Sequence, residues 1–326
     1  MKRDVKARRR TVLGFLGAVP GSLVSVRSQA QSERLELSSY FLGPALVGKG
    51  VTFFADRISE SSAGKLEISV ETVAPTMPFH MLGEASTFAH YYAPEFANIE
   101  PVLGLSALPV LAATLDEAET LLRIARPFYQ SVLARHGQIL LATEPWRPAA
   151  LWSTFPIRSF ADLEGIRFAP ANYVAQRAGW KRLFERLGVQ DASFFDAELM
   201  VSSGDGGNLK FAQEFGCFME LCLAVQLNFL TVSREAFDAR SVSERDMIEA
   251  AGRDTELDLW SFTRELVRHG HREMAKRGVS VTANPPSDVL AAFRRAAEPD
   301  VQDWVRSAGP DGTAILADYH RAVGRE

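Results

Sequence analysis

Leu66, Ile68 and Val70 alternate with Lys65, Glu67 and Ser69 in the stretch KLEISVE, the period-two pattern of a strand with one buried face. Upstream, RLELSSYFLGP contains another strand, ending near Tyr40 and Phe41. Between the two, Val51, Phe54, Ala55 and Ile58 keep helical spacing until Gly64 stops the helix. Strands joined through a helix cannot close as a hairpin, so the crossover makes them parallel neighbours. This unit commits the chain to an α/β fold, and its 326 residues leave room for about two domains.

The remaining chain supplies further elements of the same kind. After the turn residues Pro75 and Pro78 comes an aromatic patch, FAHYYAPEF. Thr114 and Glu117 form a capping box ahead of a long helix; Pro127 inside it predicts a kink or break, and Gly137 its end. QILLATE then reads as a strand, and the proline-rich stretch 146–159 carries Trp152 and Phe155. Ser159 and Asp162 frame a short capped turn. Ile166 to Pro170 reads as a short strand bearing Arg167, with Asn172 placed to cap the helix YVAQRAGWKRLFERLG. AVQLNFLTVS is a clear strand with Val225, Leu227 and Phe229 on one face. Ser241 and Glu244 cap a helical pattern that runs almost to Gly278 with Gly252 and Gly270 inside, long enough to act as a spine touching two lobes.

The first thirty residues stand apart from this pattern. They open with a basic run, continue with an apolar stretch from Val12 to Val26 and end in Ser-Gln-Ala. The apolar stretch, broken by Pro20 and Gly21, is short of the roughly 20 apolar residues a membrane span needs. It reads as a secretory signal cleaved after Ala30. Arg9-Arg10 followed by Thr11, Val12 and Leu13 resembles a twin-arginine signal, the alternative being an ordinary Sec signal with a rich basic start. Either route predicts a periplasmic protein.

Residues 1–30 hold seven of the 36 basic residues and one of the 40 acidic ones, so the remainder carries 29 basic and 39 acidic residues, a net charge of −10. Such a chain is repelled by phosphate backbones and by anionic membrane surfaces, and no nucleic-acid partner is expected. Cys217 and Cys222 lack the spacing of redox or zinc sites; they either pair across a bend or serve as small apolar core residues. His269 and His271 point apart on a helix, and no metal pattern survives. No GxSxG, Walker loop, HExxH or GxGxxG occurs. SSGDGG, residues 202–207, lacks the Lys-Ser/Thr of a phosphate loop and a clear preceding strand, and reads as a tight turn. Neither catalysis nor a cofactor is expected.

Four stretches, in order, resemble the periplasmic solute-binding proteins of tripartite ATP-independent periplasmic (TRAP) transporters, the DctP type. FFADRISESSAGKLEISV is similar to the family's opening helix, glycine and second strand, and SALPVLAATLDEA to its Leu-Pro-Phe segment before a capped helix. PIRSFADLEGIRF follows the pattern Pro-Ile-x-Ser-x-x-Asp-Leu-x-Gly. DAELMVSSGDGGN resembles the stretch in which Glu-x-Tyr precedes Asp-Gly, with two residues fewer. The resemblance covers nearly the whole chain after the signal. It implies an α/β, two-lobe periplasmic-binding-protein-like fold with a central cleft and a long spine helix. Lobe I would comprise 31–147 with 233–273, and lobe II 148–232 with 274–326. The implied function is capture of a small organic solute and its delivery, by a monomer, to a TRAP membrane permease. The alternative is a ligand sensor on the same fold reporting to a signalling receptor.

The resemblance also implies an arginine that forks onto a solute carboxylate, a task suited to a bidentate guanidinium. Here Gly165 matches the motif glycine, Arg167 falls on a lysine, and Ala169 falls on that arginine. Three readings stay open. Arg167 or Arg147 reaches the carboxylate through a slip in register; or the pocket takes something other than a simple carboxylate; or Arg167 is an ordinary surface or lobe-bridging residue. The candidate walls are Tyr40, Phe88, Tyr92, Trp146, Trp152 and Tyr173, of which about half are expected to pack inside, since aromatics are more often core than pocket. His90, Asn172, Glu198, Asp205 and Asn208 are candidate polar contacts, His90 also having the plainer role of a hydrogen-bonded neighbour of Tyr91.

Overall fold

The computed structural model describes residues 32–40, 46–72, 86–169, 177–192, 197–203 and 209–325. Strand β1 (Glu33–Ser39), helix α1 (Leu46–Ser61) and strand β2 (Leu66–Thr72) form the expected parallel unit, with Leu35 opposite Ile68 and Leu37 opposite Val70. Strand β3 (Phe88–Tyr92) adds in parallel on the other side of β1. Helix α2 (Leu115–Arg135) and strands β4 (Gln138–Pro145) and β10 (Leu227–Ser233) complete the first sheet, ordered β2-β1-β3-β10-β4, in which β10 alone runs antiparallel to its neighbours. One face is covered by Val51, Phe54 and Ile58 of α1. The other face, with Tyr91 and Phe229, meets Leu121, Ala125 and Tyr129 of α2. Both faces of β3 are therefore buried, which explains its aromatic, non-alternating sequence.

Helix α2 runs unbroken through Pro127, against the expected kink or break. A proline frees only the carbonyl four residues back, and both Pro127 and Arg123 lie on the exposed face, where water takes that bond. At its start the Thr114 hydroxyl accepts from the Glu117 amide (3.1 Å), but the Glu117 carboxylate accepts from the Ala113 amide (2.6 Å). The capping box is shifted by one residue.

The second sheet comprises β5 (Ala149–Ser153), β6 (Arg167–Ala169), β7 (Gln190–Asp191), β8 (Leu199–Ser203), β9 (Cys217–Met219) and β11 (Ser280–Thr282), ordered β11-β9-β5-β8-β6-β7. Leu151, Phe168 and Val201 pack with Leu183 and Phe184 of helix α3 (Arg177–Arg186). On the opposite face Trp152, Met200 and Phe218 pack with Phe215 and Met274.

A short helix α4 (Arg234–Asp238) leads into α5 (Val242–Lys276), which has 35 residues and both halves of the Ser241/Glu244 capping box. At 1.5 Å per residue it spans about 50 Å. Ile248 and Ala251 pack in the first core, and Met274 in the second. This is the spine. Helix α6 (Ser287–Ala322) also serves both lobes, turning at Gly309 (φ 64°): Val289 and Phe293 lie in the second core, Trp304, Ile315 and Tyr319 in the first.

Two parts of the expected lobe division change. Residues 227–232 belong to the first sheet, because β10 pairs with β3 and β4. The chain beyond 300 returns to the first lobe, since its apolar stripe packs with α2 and the aromatic residues of β3. Cys222 lies in the first core and Cys217 on β9, both as free thiols.

Candidate functional site

The chain passes from the first sheet to the second at Pro145–Ala149 and returns at Leu223–Leu227. Trp146 N donates to Gln226 O (2.7 Å), Ala149 N to Ala224 O (3.1 Å) and Leu223 N to Ala149 O (2.9 Å), so the outgoing and returning segments run side by side. β1, β3 and β4 all end at this crossover edge. The carboxyl ends of parallel strands are where open α/β sheets place their ligands.

A buried polar chain occupies that edge. Strand register puts Ser39 opposite His90, and Asn228 between Tyr92 and Glu144, so all five side chains share one face of the sheet. Ser39 Oγ lies 3.0 Å from His90 Nδ1, and His90 Nε2 lies 2.7 Å from Glu144 Oε2. Asn228 Nδ2 donates to the same Glu144 oxygen (3.2 Å), and Trp146 Nε1 donates to Asn228 Oδ1 (2.9 Å). A carboxylate only accepts, so Nε2 of the imidazole carries the proton toward Glu144, and the Ser39 hydroxyl, which can donate or accept, pairs with Nδ1. The indole of Trp146 rests against the Tyr92 ring at 5.2 Å between centroids. Glu144 lies beneath Gly50 of α1: a Cβ there would sit in ordinary contact with the carboxyl at 3.4 Å from Cδ and Oε1, and would clash with Leu259 Cδ1 at 2.8 Å. Tyr40, at the end of β1, is buried against Phe96, and burial pushes its hydroxyl pKa up to about 12.

Tyr40, His90, Tyr92, Trp146 and Arg147 are thus gathered near the crossover edge. Ala169 is buried in register with Met200 at the end of β6 that points the same way. Four other candidates fall elsewhere. Phe88 is fully buried in an edge-to-face contact with Phe54, and Trp152 in one with Phe218; both are core, because apolar layers cover them on every side. Arg167 and Glu198 stand at the opposite edge of the second sheet, where Phe168 pairs with Leu199 and Leu199 with Ser153, the last residue of β5. There they bind each other, Arg167 Nε to Glu198 Oε2 at 3.4 Å, with side chains 48% and 39% exposed. Hydrogen bonds from the Arg167 backbone and guanidinium hold the Glu198 pKa below its usual value. Neither reaches the crossover. Asn172, Tyr173, Asp205 and Asn208 lie outside the described residues. Ser202 and Ser203, the first residues of SSGDGG, end strand β8, so a strand does lead into this stretch although its sequence does not alternate cleanly; its remaining residues lie outside the described ones.

Glu144, Asn228 and Ser39 are the residues the sequence reading missed. The signal was present in two cases. Asn228 interrupts the apolar run AVQLNFLTVS, and Glu144 closes the apolar strand QILLATE, and a polar group inside a buried strand needs a partner.

No family model and no curated protein matches the chain. Solved structures do. A Bordetella pertussis extracytoplasmic solute receptor binding pyroglutamic acid is 23% identical, with a TM-score of 0.72 over 89% of this chain and 100% of its own. A marine metagenome TRAP solute-binding protein specific for pyroglutamate is 20% identical, with a TM-score of 0.70 over 89% and 99%. A TRAP periplasmic solute-binding protein from Desulfovibrio salexigens, in an open complex, is 15% identical, with a TM-score of 0.77 over 89% and 95%. The chain has the two-lobe fold of these proteins.

Proposed function

We propose that the protein is an extracytoplasmic solute-binding protein that captures a small organic solute between its lobes and delivers it to a TRAP-type permease. The observation that carries this reading is the polar–aromatic cluster at the crossover edge, set on a fold shared with TRAP solute receptors along almost the whole chain. Tyr40, His90, Tyr92, Trp146 and Arg147 are the described residues assigned to the pocket, with Asn172, Tyr173, Asp205 and Asn208 as further candidates. The cluster offers aromatic faces and a few placed polar groups, the usual make-up of a small-molecule site. The cluster does line up a hydroxyl, an imidazole and a carboxylate in Ser39, His90 and Glu144, but all three are buried, Ser39 completely, so the hydroxyl is not presented to a substrate, and the protein acts by binding and release rather than by catalysis.

Residues 1–30 are its export signal, Arg9-Arg10 direct it to the twin-arginine route, and the mature monomer works in the periplasm. Among the described residues no helix is long and apolar enough to cross a membrane. Native mass spectrometry of protein recovered from the periplasmic fraction tests the reading in one measurement. The expected spectrum shows a monomer beginning after Ala30 and carrying a small organic molecule. Recovery should be lost when Arg9 and Arg10 are both replaced by Lys. Protein that stays in the cytoplasm with its first thirty residues intact, or that never carries or accepts a small molecule, overturns it.

A further inference from the structure

A pocket of about 380 Å³ lies between the segment that follows β3, the start of α3 and the middle of α6. It shares no described residue with the crossover cluster, and its volume falls in the range of small-molecule sites. Its walls come from both lobes. Pro94, Ala97 and Leu108 belong to the first, where Phe96 and Leu108 pack in the core. Gly179 and Arg182 stand on α3, whose Leu183 and Phe184 pack in the second core. Trp304 of α6 gives its indole N–H to Pro101 O (2.7 Å), so its one polar group is spent and what it adds to the pocket is apolar.

Gly179 keeps the α3 wall bare. A Cβ there would meet nothing within 4 Å, so packing does not demand glycine at this position, although only proline is a poorer helix former. The residue is small where the pocket is open. Charge at the described lining is confined to Arg182 and Asp300, and it does not balance. Arg186 holds Asp300 in a fork, Nη1 donating to Oδ2 (2.7 Å) and Nη2 to Oδ1 (3.2 Å). Arg182 approaches the same carboxylate only through Nε at 3.9 Å, beyond hydrogen-bond distance. Two guanidiniums thus share one carboxylate, and among the described residues no acceptor engages the terminal nitrogens of Arg182. A planar fork of that kind matches a carboxylate.

We propose that this interlobe pocket is a second ligand site, apart from the crossover cluster, for a small monocarboxylate with an aromatic or branched apolar body. The body fills the space beside Gly179, Leu108 and Trp304, and the carboxylate forks onto Arg182. A second carboxylate would face apolar walls or Asp300 and lose its water uncompensated, so dicarboxylates are rejected. The site stands or falls independently of solute capture at the crossover edge.

Calorimetric titration of the exported protein tests this. Phenylacetate and isovalerate should bind. Phenethylamine, which carries a similar body with the opposite charge, and succinate, which lacks the apolar body, should not displace phenylacetate. Arg182→Met keeps the apolar stem without the fork and should weaken phenylacetate about tenfold or more. Gly179→Leu, which fills the pocket from a position with open space around it, should abolish binding. Urea midpoints of both variants close to the wild-type value show that the loss is not unfolding. Phenylacetate that binds both variants as tightly as wild type sits elsewhere, and overturns the proposal without touching solute capture. Displacement by phenethylamine or succinate overturns the assigned ligand class, and no binding of either monocarboxylate at millimolar concentration overturns the site.

Discussion

At the scale of single residues, the alternation that put Arg167 and Ala169 on one face of a strand holds, yet the role of Arg167 was illegible. Its partner Glu198 is 31 positions away, and they meet only because β6 lies beside β8 in one particular register. Pairing between strands depends on the whole sheet, so a local pattern cannot report it. Glu220 is a second residue whose state is set by its surroundings. It lies between β9 and α5, with His271 Nε2 at 3.5 Å, and burial raises its pKa from 4.5 to about 7. The folded protein then holds more protons than the unfolded chain between those two values, so stability falls as pH climbs through this window. Glu220→Gln should accordingly be near neutral at pH 4.5 and stabilising by about 1–3 kcal/mol at pH 8, partial exposure reducing the full effect. Urea midpoints at the two pH values check this; a gain of equal size at both would mean the carboxyl is not the cause.

Among the elements, the parallel opening unit, β4, β10 and the spine helix could all be read from periodicity and caps. α6 could not. Its residues 287–322 carry Pro299, Pro310 and a glycine turn, and its apolar stripe serves two different cores in succession, so no single face repeats throughout. β3 escaped notice as a strand because both faces are buried, which erases the alternation. The glycines inside α5 could be seen in sequence but not explained. Gly252 sits where the helix crosses β4: a Cβ there would lie 2.9 Å from Leu141 O and 3.0 Å from Leu141 Cβ. Backbone cannot move aside as a flexible side-chain tip can. Gly252→Ala should therefore destabilise the protein by about 1–3 kcal/mol, although alanine gains close to 1 kcal/mol in intrinsic helix propensity. A chemical-denaturation midpoint for Gly252→Ala at or above the wild-type value would show that α5 and β4 are farther apart than this.

In the whole molecule, four connections among the described residues join the lobes: two crossover segments and the helices α5 and α6. A fifth contact locks them. Val110 is 1% exposed and packs in the second core, while its neighbours Leu108 and Leu111 pack in the first; its amide donates to Leu223 O on the returning crossover (2.7 Å). Its φ of 56° is one that a β-branched residue rarely adopts, a strain on the order of 1–3 kcal/mol that only the surrounding packing sustains. The lobes are thus pinned at the crossover edge, where the polar–aromatic cluster lies, and any relative motion must be rotation about that edge rather than sliding. Such hinges close around ligands. X-ray scattering of the protein with its co-purified or best-binding solute should show a smaller radius of gyration than the solute-free form. The same samples should gain roughly 2.7 kcal/mol of unfolding free energy at about 100 times the dissociation constant. Compaction requires the solute to touch both lobes, since a ligand held by one lobe has no differential affinity for the closed state and cannot shift the equilibrium. Full stabilisation with an unchanged radius of gyration would therefore assign the site to the first lobe alone and remove the hinge from the mechanism.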